Sequence, residues 1–241
     1  MDYLAHLTVI QHTSADYLGL VEDHLEGRKI RFTYHRPFTE RGGIPTLASI
    51  ADGLVLLGGG PWGSAGPRNL PTLVREVELA HACLARGLPV IGFELGAQIL
   101  ALAAGGRTHA APLALTVEQA RRVDDAALNG YLPEHFVSIA CGRDRFELPA
   151  QARVLALGED DAPALFQVGD NAFGFRGHPG FKPAIAEDLV MEFEEAPDDP
   201  AAALIAARAQ ARAVEEALIP IMTGLVQLTG WMGSAHAARR E

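Results

Sequence analysis

Short apolar runs alternate with segments of helical periodicity in the first part of the chain, and this alternation limits the possible folds more than any other feature. Residues 15–25 and 70–86 repeat apolar side chains at helical spacing, and Ser14 is placed to cap the first of these helices. Strands and helices in alternation require right-handed crossovers, which predicts an α/β fold with a mostly parallel central sheet and flanking helices. The predicted strands are residues 6–11, 29–34, 53–57 and 88–93.

The second half of the chain predicts short strands joined by turns, and these would extend the sheet in antiparallel fashion. An Ala-rich helix is predicted over 201–218, with Asp199 at its start and Pro220 expected to break or kink it. We find no internal repeat or linker, so we expect one domain over 1–241 with a helical C-terminal segment at about 199–232. The predicted short strands are 113–117, 136–140, 154–157, 165–168 and 172–176.

Charge, cysteine content and glycine spacing exclude several function classes. Twenty Lys and Arg against 30 Asp and Glu give a net charge of −10, which argues against nucleic acid and anionic membranes as partners. Cys83 and Cys141 cannot form a disulfide framework, and no metal-ligand spacing is visible, so we expect no metal and a cytoplasmic location. The glycines at 58–60 lack the spacing and following lysine of a phosphate loop, so no cofactor is expected.

The segment 89–98, PVIGFELGAQ, joins a predicted buried strand directly to a helix. Gly92 and Gly96 stand two residues before and after Glu94, a spacing that builds a sharp strand-to-helix turn. Such a turn holds its central side chain at the carboxyl end of a strand, beside the free N–H groups of a helix start. Glu94 therefore takes the position in which such an elbow presents a nucleophile. The ordinary alternative is a surface glutamate favoured by the helix dipole.

Four segments in order resemble class I glutamine amidotransferases, especially the small stand-alone relatives of the GMP synthetase glutaminase domain. GFELGAQ at 92–98 resembles the family's elbow Gly-Ile-Cys-x-Gly-x-Gln, and LGGGP at 57–61 resembles its Gly-Gly-Pro oxyanion loop. DRFELP at 144–149 is similar to its Asp-x-Phe-x-Leu-Pro segment, and FGFRGHP at 173–179 to its Gly-Val-Gln-Phe-His-Pro segment. The resemblance covers about residues 7–179 and implies a flavodoxin-like, class I glutamine amidotransferase-like fold.

The departures from this family concern its catalytic triad. In the family a Cys attacks the glutamine amide, a His acts as its base, and a Glu two residues after the His orients it. The resemblance places Glu94 at the Cys, His178 at the His and Gly180 at the Glu. A carboxylate attacks amides far more weakly than a thiolate does, and loss of a triad nucleophile costs on the order of 10⁶-fold in rate. The sequence therefore predicts a degenerate glutaminase site.

Three functions stay open at this point. The missing thiol and carboxylate favour a binding or regulatory protein that does not hydrolyse glutamine. The second is a hydrolase or transferase that uses Glu94 with His178, because carboxylate nucleophiles act on esters, halides and epoxides. The third is residual glutamine amidotransferase activity. The resemblance also implies a small-molecule ligand, either glutamine-like or a carboxylate, and either a homo-oligomer or a synthetase-type partner protein.

The resemblance implies that Glu94 and His178 are the candidate catalytic residues. We expect the Glu94 carboxylate to accept hydrogen bonds from the elbow and oxyanion-loop N–H groups and to pair with protonated His178. Donors to the charged form would lower the pKa of Glu94. His178 has the ordinary alternative of a turn residue before Pro179. The candidate substrate- or anion-binding residues are Gly59, Gly60, Leu95 and Gln98.

Overall fold

A nine-stranded sheet and a separate two-stranded sheet run through residues 3–233, the part of the chain that the computed structural model describes. Most strands are rich in apolar and β-branched residues, which suits a sheet buried on both faces. In chain order the strands are β1 (Ala5–Ile10), β2 (Ile30–His35), β3 (Gly53–Leu56), β4 (Val90–Phe93), β5 (Arg107–His109), β6 (Ala114–Arg122), β7 (His135–Gly142), β8 (Arg145–Glu147), β9 (Arg153–Leu157), β10 (Pro163–Val168) and β11 (Ala172–Phe175).

The order of the large sheet is β2-β1-β3-β4-β11-β10-β9-β6-β7, and β5 pairs with β8 in the small one. Strands β2, β1, β3, β4 and β11 form a parallel core, while β10, β9, β6 and β7 continue it with antiparallel pairs. The predicted α/β fold with an antiparallel extension is confirmed. One strand differs from the prediction, because β11 joins the parallel core beside β4. The carboxyl ends of β4 and β11 therefore meet at one edge of the sheet.

Six helices flank the sheet in the described part of the chain. On β3, Val55 faces the layer that contains Leu225, whereas the next residue, Leu56, faces the layer that contains Leu100. This alternation is what a strand covered on both faces requires. No helix within residues 3–233 has the length and apolar character to cross a membrane. The helices are α1 (Leu20–Glu26), α2 (Leu73–Ala85), α3 (Leu95–Ala103), α4 (Pro183–Glu192), α5 (Pro200–Ala209) and α6 (Ala211–Thr229).

The predicted helix over 15–25 is wrong in its first half, because α1 begins at Leu20 and the Ser14 hydroxyl donates to Glu192 on α4 instead of capping a helix. Residues 11–19 form an irregular loop in which Thr13 Oγ1 accepts a hydrogen bond from the Asp16 N–H at 3.1 Å. Gly19 ends this loop with a positive φ of 61°, pressed against the Gly180 carbonyl, so the helix cannot extend further back. The loop buries Asp16 completely, which a regular helix at this place would not do.

The C-terminal helices also differ from the prediction. The chain breaks at Gln210, between α5 and α6, whereas Pro220 lies inside the continuous helix α6. α5 packs on α4 and β6 while α6 packs on β7 and α1, and the apolar face of α6 offsets the roughly 3 kcal/mol that an internal proline costs. Asp199 caps α5 as predicted, by accepting from the Ala202 N–H at 3.2 Å. The single domain over 1–241 stays a prediction, and its ends, residues 1–2 and 234–241, lie outside the described residues.

Candidate functional site

The predicted elbow is present at the carboxyl end of β4. Glu94 has φ 52° and ψ −110°, and α3 starts at the next residue. A Cβ on Gly92 would lie 2.3 Å from the Gly96 carbonyl oxygen, and a Cβ on Gly96 would lie 2.0 Å from the Leu56 carbonyl oxygen. Both glycines are therefore needed for the close approach of strand and helix. A glutamate with positive φ is strained, and the packing around the elbow maintains that strain.

Glu94 points into the protein, with only 6% of the residue exposed. Its Oε1 accepts a hydrogen bond from the backbone N–H of Cys141, in β7, at 2.8 Å. Within residues 3–233 no hydrogen bond joins this carboxyl to the N–H of Leu95, the N–H of Gly60 or the ring of His178. The expected anion hole around Glu94 is therefore wrong in its donors, because the side chain crosses to β7 instead of folding back on its own helix.

The second oxygen of Glu94 faces the carboxyl group of Asp16. Glu94 Oε2 and Asp16 Oδ2 each lie 2.0 Å from the point where a Cβ on Gly58 would stand, so the two oxygens are within about 4 Å of each other. Both oxygens of Asp16 are buried and have no hydrogen-bond partner in the described part of the chain. Two full charges at about 4 Å would repel by about 4 kcal/mol at an effective dielectric constant of about 20.

The pKa values of this pair follow from burial and repulsion. Burial, and then the charge of Asp16, raise the pKa of Glu94 well above its usual range, and the Cys141 N–H offsets only part of this. Burial raises the pKa of Asp16 to about 7, although His12 lowers it in part. The expectation of a lowered Glu94 pKa is wrong in sign, because the site supplies a second carboxyl and one N–H where several donors were expected.

A second buried polar group supports the loop that carries Asp16. His12 Nδ1 lies 2.8 Å from the Gly58 carbonyl oxygen, and its Nε2 lies 2.7 Å from Glu76 Oε2 on α2. Thr72 donates to the other oxygen of Glu76 at 2.6 Å. Burial alone would lower the pKa of His12, but Glu76 and the Gly58 carbonyl outweigh burial and raise it. His12 therefore holds the backbone of Gly58 directly below the carboxyl pair.

His178 lies near the elbow, but both of its ring nitrogens are engaged elsewhere. Nδ1 accepts a hydrogen bond from the Gly180 N–H at 3.2 Å, so Nε2 carries the proton, which it donates to the Tyr17 carbonyl at 2.7 Å. The ring stacks at a tilt on Phe93, with the centroids 5.1 Å apart. Burial lowers the pKa of His178 to about 4. The neutral ring therefore fastens the loop 11–19 and does not form the expected ion pair with Glu94.

The space in which the family's orienting glutamate would stand is filled. A Cβ on Gly180 would lie 2.7 Å from Val21 Cγ2, 2.8 Å from the Val21 backbone nitrogen and 3.1 Å from the Leu18 carbonyl oxygen. The start of α1 thus occupies the volume of any side chain at position 180. The missing third member of the triad is a consequence of packing as well as of the sequence change.

The Gly-Gly-Pro turn lies against α3 and α4. A Cβ on Gly59 would lie 2.3 Å from a methyl of Leu95, and a Cβ on Gly60, where φ is 53°, would lie 2.8 Å from a methyl of Leu189. Gln98 is buried and uses both ends of its amide, donating to the Arg143 carbonyl at 2.7 Å and accepting from the Ser64 hydroxyl. These residues join the walls of the site to one another.

A pocket of about 260 Å³ opens beside the elbow, between α3 and strands β6, β7 and β8. Arg143 contributes to its wall with a side chain that is 9% exposed; one end pairs with Glu195, while its Nε is buried without a partner among the described residues. Across the pocket Arg176 bridges two carboxylates. The lining side chains that carry charge or an amide include Glu94, Gln98, Glu118, Arg143, Asp160 and Arg176. Within residues 3–233 no three His, Cys, Asp or Glu side chains are arranged to hold a metal ion.

No family model and no curated protein sequence matches the chain. Solved structures do match it over nearly its whole length. A glutamine amidotransferase from Thermotoga maritima has a TM-score of 0.77 at 21% identity, covering 95% of this chain and 99% of its own. One from Methylobacillus flagellatus has a TM-score of 0.78 at 21% identity, covering 92% and 94%. The chain has the glutamine amidotransferase fold.

A more distant likeness joins this glutamine amidotransferase fold to a protein from Thermoplasma acidophilum that is provisionally assigned to GMP synthase. Its TM-score is 0.56 at 15% identity, covering 90% of this chain and 100% of the other. At these identities the likeness concerns the fold. The predicted flavodoxin-like, class I glutamine amidotransferase-like architecture is confirmed at that level.

Within this fold, sequence reasoning located the elbow but missed its neighbours. Asp16, His12 and Tyr17 all belong to the loop that follows β1, and Glu76 reaches them from α2. A signal for them was present, because polar residues directly after a buried parallel strand lie at the edge where such sheets bind ligands. The prediction of a helix over 15–25 concealed it. Cys141 is buried, and burial together with Glu94 and Asp16 raises the pKa of its thiol, which leaves it a poor nucleophile.

Proposed function

We propose that this chain is a small-molecule-binding or regulatory protein with the glutamine amidotransferase fold that does not hydrolyse glutamine. The observation that supports this most strongly is the contact made by the elbow side chain. Glu94 is a buried carboxyl against a second carboxyl, Asp16, and such a pair keeps a proton at neutral pH. A protonated carboxyl cannot attack an amide.

The histidine supports the same conclusion. A general base needs a free lone pair within hydrogen-bond reach of the proton it removes. The Nδ1 lone pair of His178 is engaged by the Gly180 N–H, and Nε2–H is donated to Tyr17. These contacts argue against residual glutaminase activity and equally against a hydrolase or transferase that uses Glu94 with His178.

The charged wall of the pocket supports an amino-acid-sized ligand that is glutamine-like or carries a carboxylate. A buried guanidinium N–H without an acceptor is costly, and a ligand carboxylate near Arg143 would supply one. The likeness to proteins named glutamine amidotransferases supports a glutamine-like molecule. The likeness to a protein assigned to GMP synthase supports a synthetase-type partner, and a homo-oligomer is the alternative. A cytoplasmic location belongs to the same proposal.

Glutamate release from glutamine tests the catalytic half of this proposal. We expect no release above background from the wild-type protein or from Glu94→Cys, because the thiol would still lack a free histidine and an orienting carboxylate. His178→Gln is the control, since any true triad activity would disappear with it. Turnover near 1 s⁻¹, within the usual range of enzymes, by either protein would contradict the proposal.

Calorimetry with L-glutamine and L-glutamate tests the binding half. We expect one of them to bind, and Arg143→Gln to weaken that binding about tenfold or more, as loss of a charge-assisted hydrogen bond does. Arg107→Gln is the matched control, because Arg107 is an exposed arginine on β5 outside the pocket lining. Absence of binding by both probes, or equal binding by Arg143→Gln, would refute the assignment of the pocket.

A further inference from the structure

The loop 11–19 is the element that covers the elbow. It leaves the carboxyl end of β1, passes over Gly58 and enters α1 at Leu20, whose N–H donates to the Gly180 carbonyl at 2.8 Å. Two contacts join the middle of the loop to the site. Asp16 faces Glu94 across Gly58, and the Tyr17 carbonyl accepts from His178. The same short loop therefore touches both the nucleophile position and the histidine of the elbow.

The carboxyl pair has little to compensate its charge. The titratable groups that face it are His12, at the start of the loop, and Cys141, on β7, with Glu76 of α2 behind His12. His12 is the cation among them, and its two nitrogens are already engaged by Gly58 and Glu76. Neither Asp16 oxygen has a donor in the described part of the chain. Two negative charges cannot both stay buried in this arrangement.

We propose that Asp16 and Glu94 form a proton-dependent latch. While the pair keeps a proton, an O–H of one carboxyl can point at an oxygen of the other, and the loop 11–19 stays closed over the elbow. When both carboxyls are ionised, Asp16 leaves Gly58 for water and the loop opens. The inference concerns the opening of the site and goes beyond the proposed function.

Opening of the latch changes the histidine as well. Tyr17 follows Asp16 directly, so a movement that takes Asp16 into water also withdraws the carbonyl that holds His178 Nε2. The ring is then hydrated and free to turn towards the pocket. Because burial holds the pKa of Asp16 at about 7 and raises that of Glu94 further above its usual range, the latch is closed in acid and opens on the alkaline side of neutrality.

Amide hydrogen exchange at several pH values tests the latch. The informative amides are those of Leu18, which donates to the Tyr34 hydroxyl at 2.9 Å, and Leu20. After correction for the intrinsic rate, we expect their protection to fall about tenfold or more between pH 6 and pH 9.5 as the loop opens locally. The Leu54 amide, which donates to the Pro89 carbonyl within the sheet, is the internal reference and should not change.

Asp16→Asn and Glu94→Gln are the decisive variants, because each amide can donate to the remaining carboxyl without titrating. We expect either variant to keep the protection of Leu18 and Leu20 within about twofold over the same pH range. Glu78→Gln removes an exposed carboxyl from α2 and should behave as wild type. A wild-type loop with unchanged protection, or an equal loss in the folded variants, would overturn the latch.

The nitrogen-15 signals of the His178 ring give an independent measurement. The wild-type ring should hold the Nε2–H form, hydrogen-bonded to Tyr17, at pH 6, and lose that bond in step with the exchange of Leu18. In Glu94→Gln the signals should stay constant. A His178 signal that ignores pH while the loop opens would refute the coupling. Neither measurement uses glutamine or its hydrolysis, so failure of the latch is distinguishable from failure of the proposed function.

Discussion

Position 180 provides the strongest test of why this site lacks the third member of a triad. Gly180→Ala adds one carbon to a place where three atoms of α1 and its approach already stand at 2.7, 2.8 and 3.1 Å. Ordinary contacts of a Cβ are 3.4 Å or longer. Two of the three atoms are backbone, on Val21 and Leu18, so a side-chain rotation cannot relieve the overlap. Gly180 does not have a positive φ, so the effect of the substitution is steric.

The expected magnitude follows from this geometry. Overpacking of a well-packed site costs about 1–3 kcal/mol, and the need to move the start of a helix places Gly180→Ala near the upper end. In a chain of this size about 1 kcal/mol shifts the melting temperature by about 2–4 °C. We therefore expect Gly180→Ala to melt about 6–12 °C below wild type. Gly180→Glu, which the family's pattern would require, should be worse because it also buries a charge.

Differential scanning calorimetry measures this effect directly. Gly43→Ala is the matched control, since a Cβ at Gly43 meets nothing within 4 Å, and its melting temperature should change by no more than about 2 °C. If Gly180→Ala melted as close to wild type as this control, α1 would have room to withdraw. The argument that packing excludes the orienting carboxylate would then be wrong.

Two further predictions concern the buried charges. The folded-state pKa of Asp16 is raised from 3.8 to about 7, so its contribution to stability is complete below 3.8 and is lost as pH rises towards 7. Urea denaturation should show the free energy of unfolding of wild type falling relative to Asp16→Asn by on the order of 3–4 kcal/mol over that range, and a constant difference would contradict the assignment. Glu76→Leu leaves His12 buried without its partner and should lower the free energy of unfolding by about 3–5 kcal/mol, whereas Glu78→Leu, exposed on the same helix, should have little effect.

The sequence by itself determined the local geometry of the site and the class of the fold. The glycines on either side of Glu94 specify the elbow because their missing Cβ atoms are the condition for strand and helix to approach. Alternating apolar strands and helices specify the parallel core. Both depend on interactions between residues close in the chain or on hydrophobic periodicity, and these are visible in a single sequence.

Only the tertiary structure decided what the elbow side chain contacts and whether it is charged. Sequence reasoning gave Glu94 the donors and the charge that the family's oxyanion loop supplies, but the fold brings Asp16 and β7 to it and turns His178 towards Tyr17. A pKa depends on burial and on the distance to other charges, and both are set by segments far apart in the chain. The contact between Gly19 and Gly180 likewise starts α1 at Leu20, against the helical pattern of 15–25, and so buries Asp16 beside Glu94.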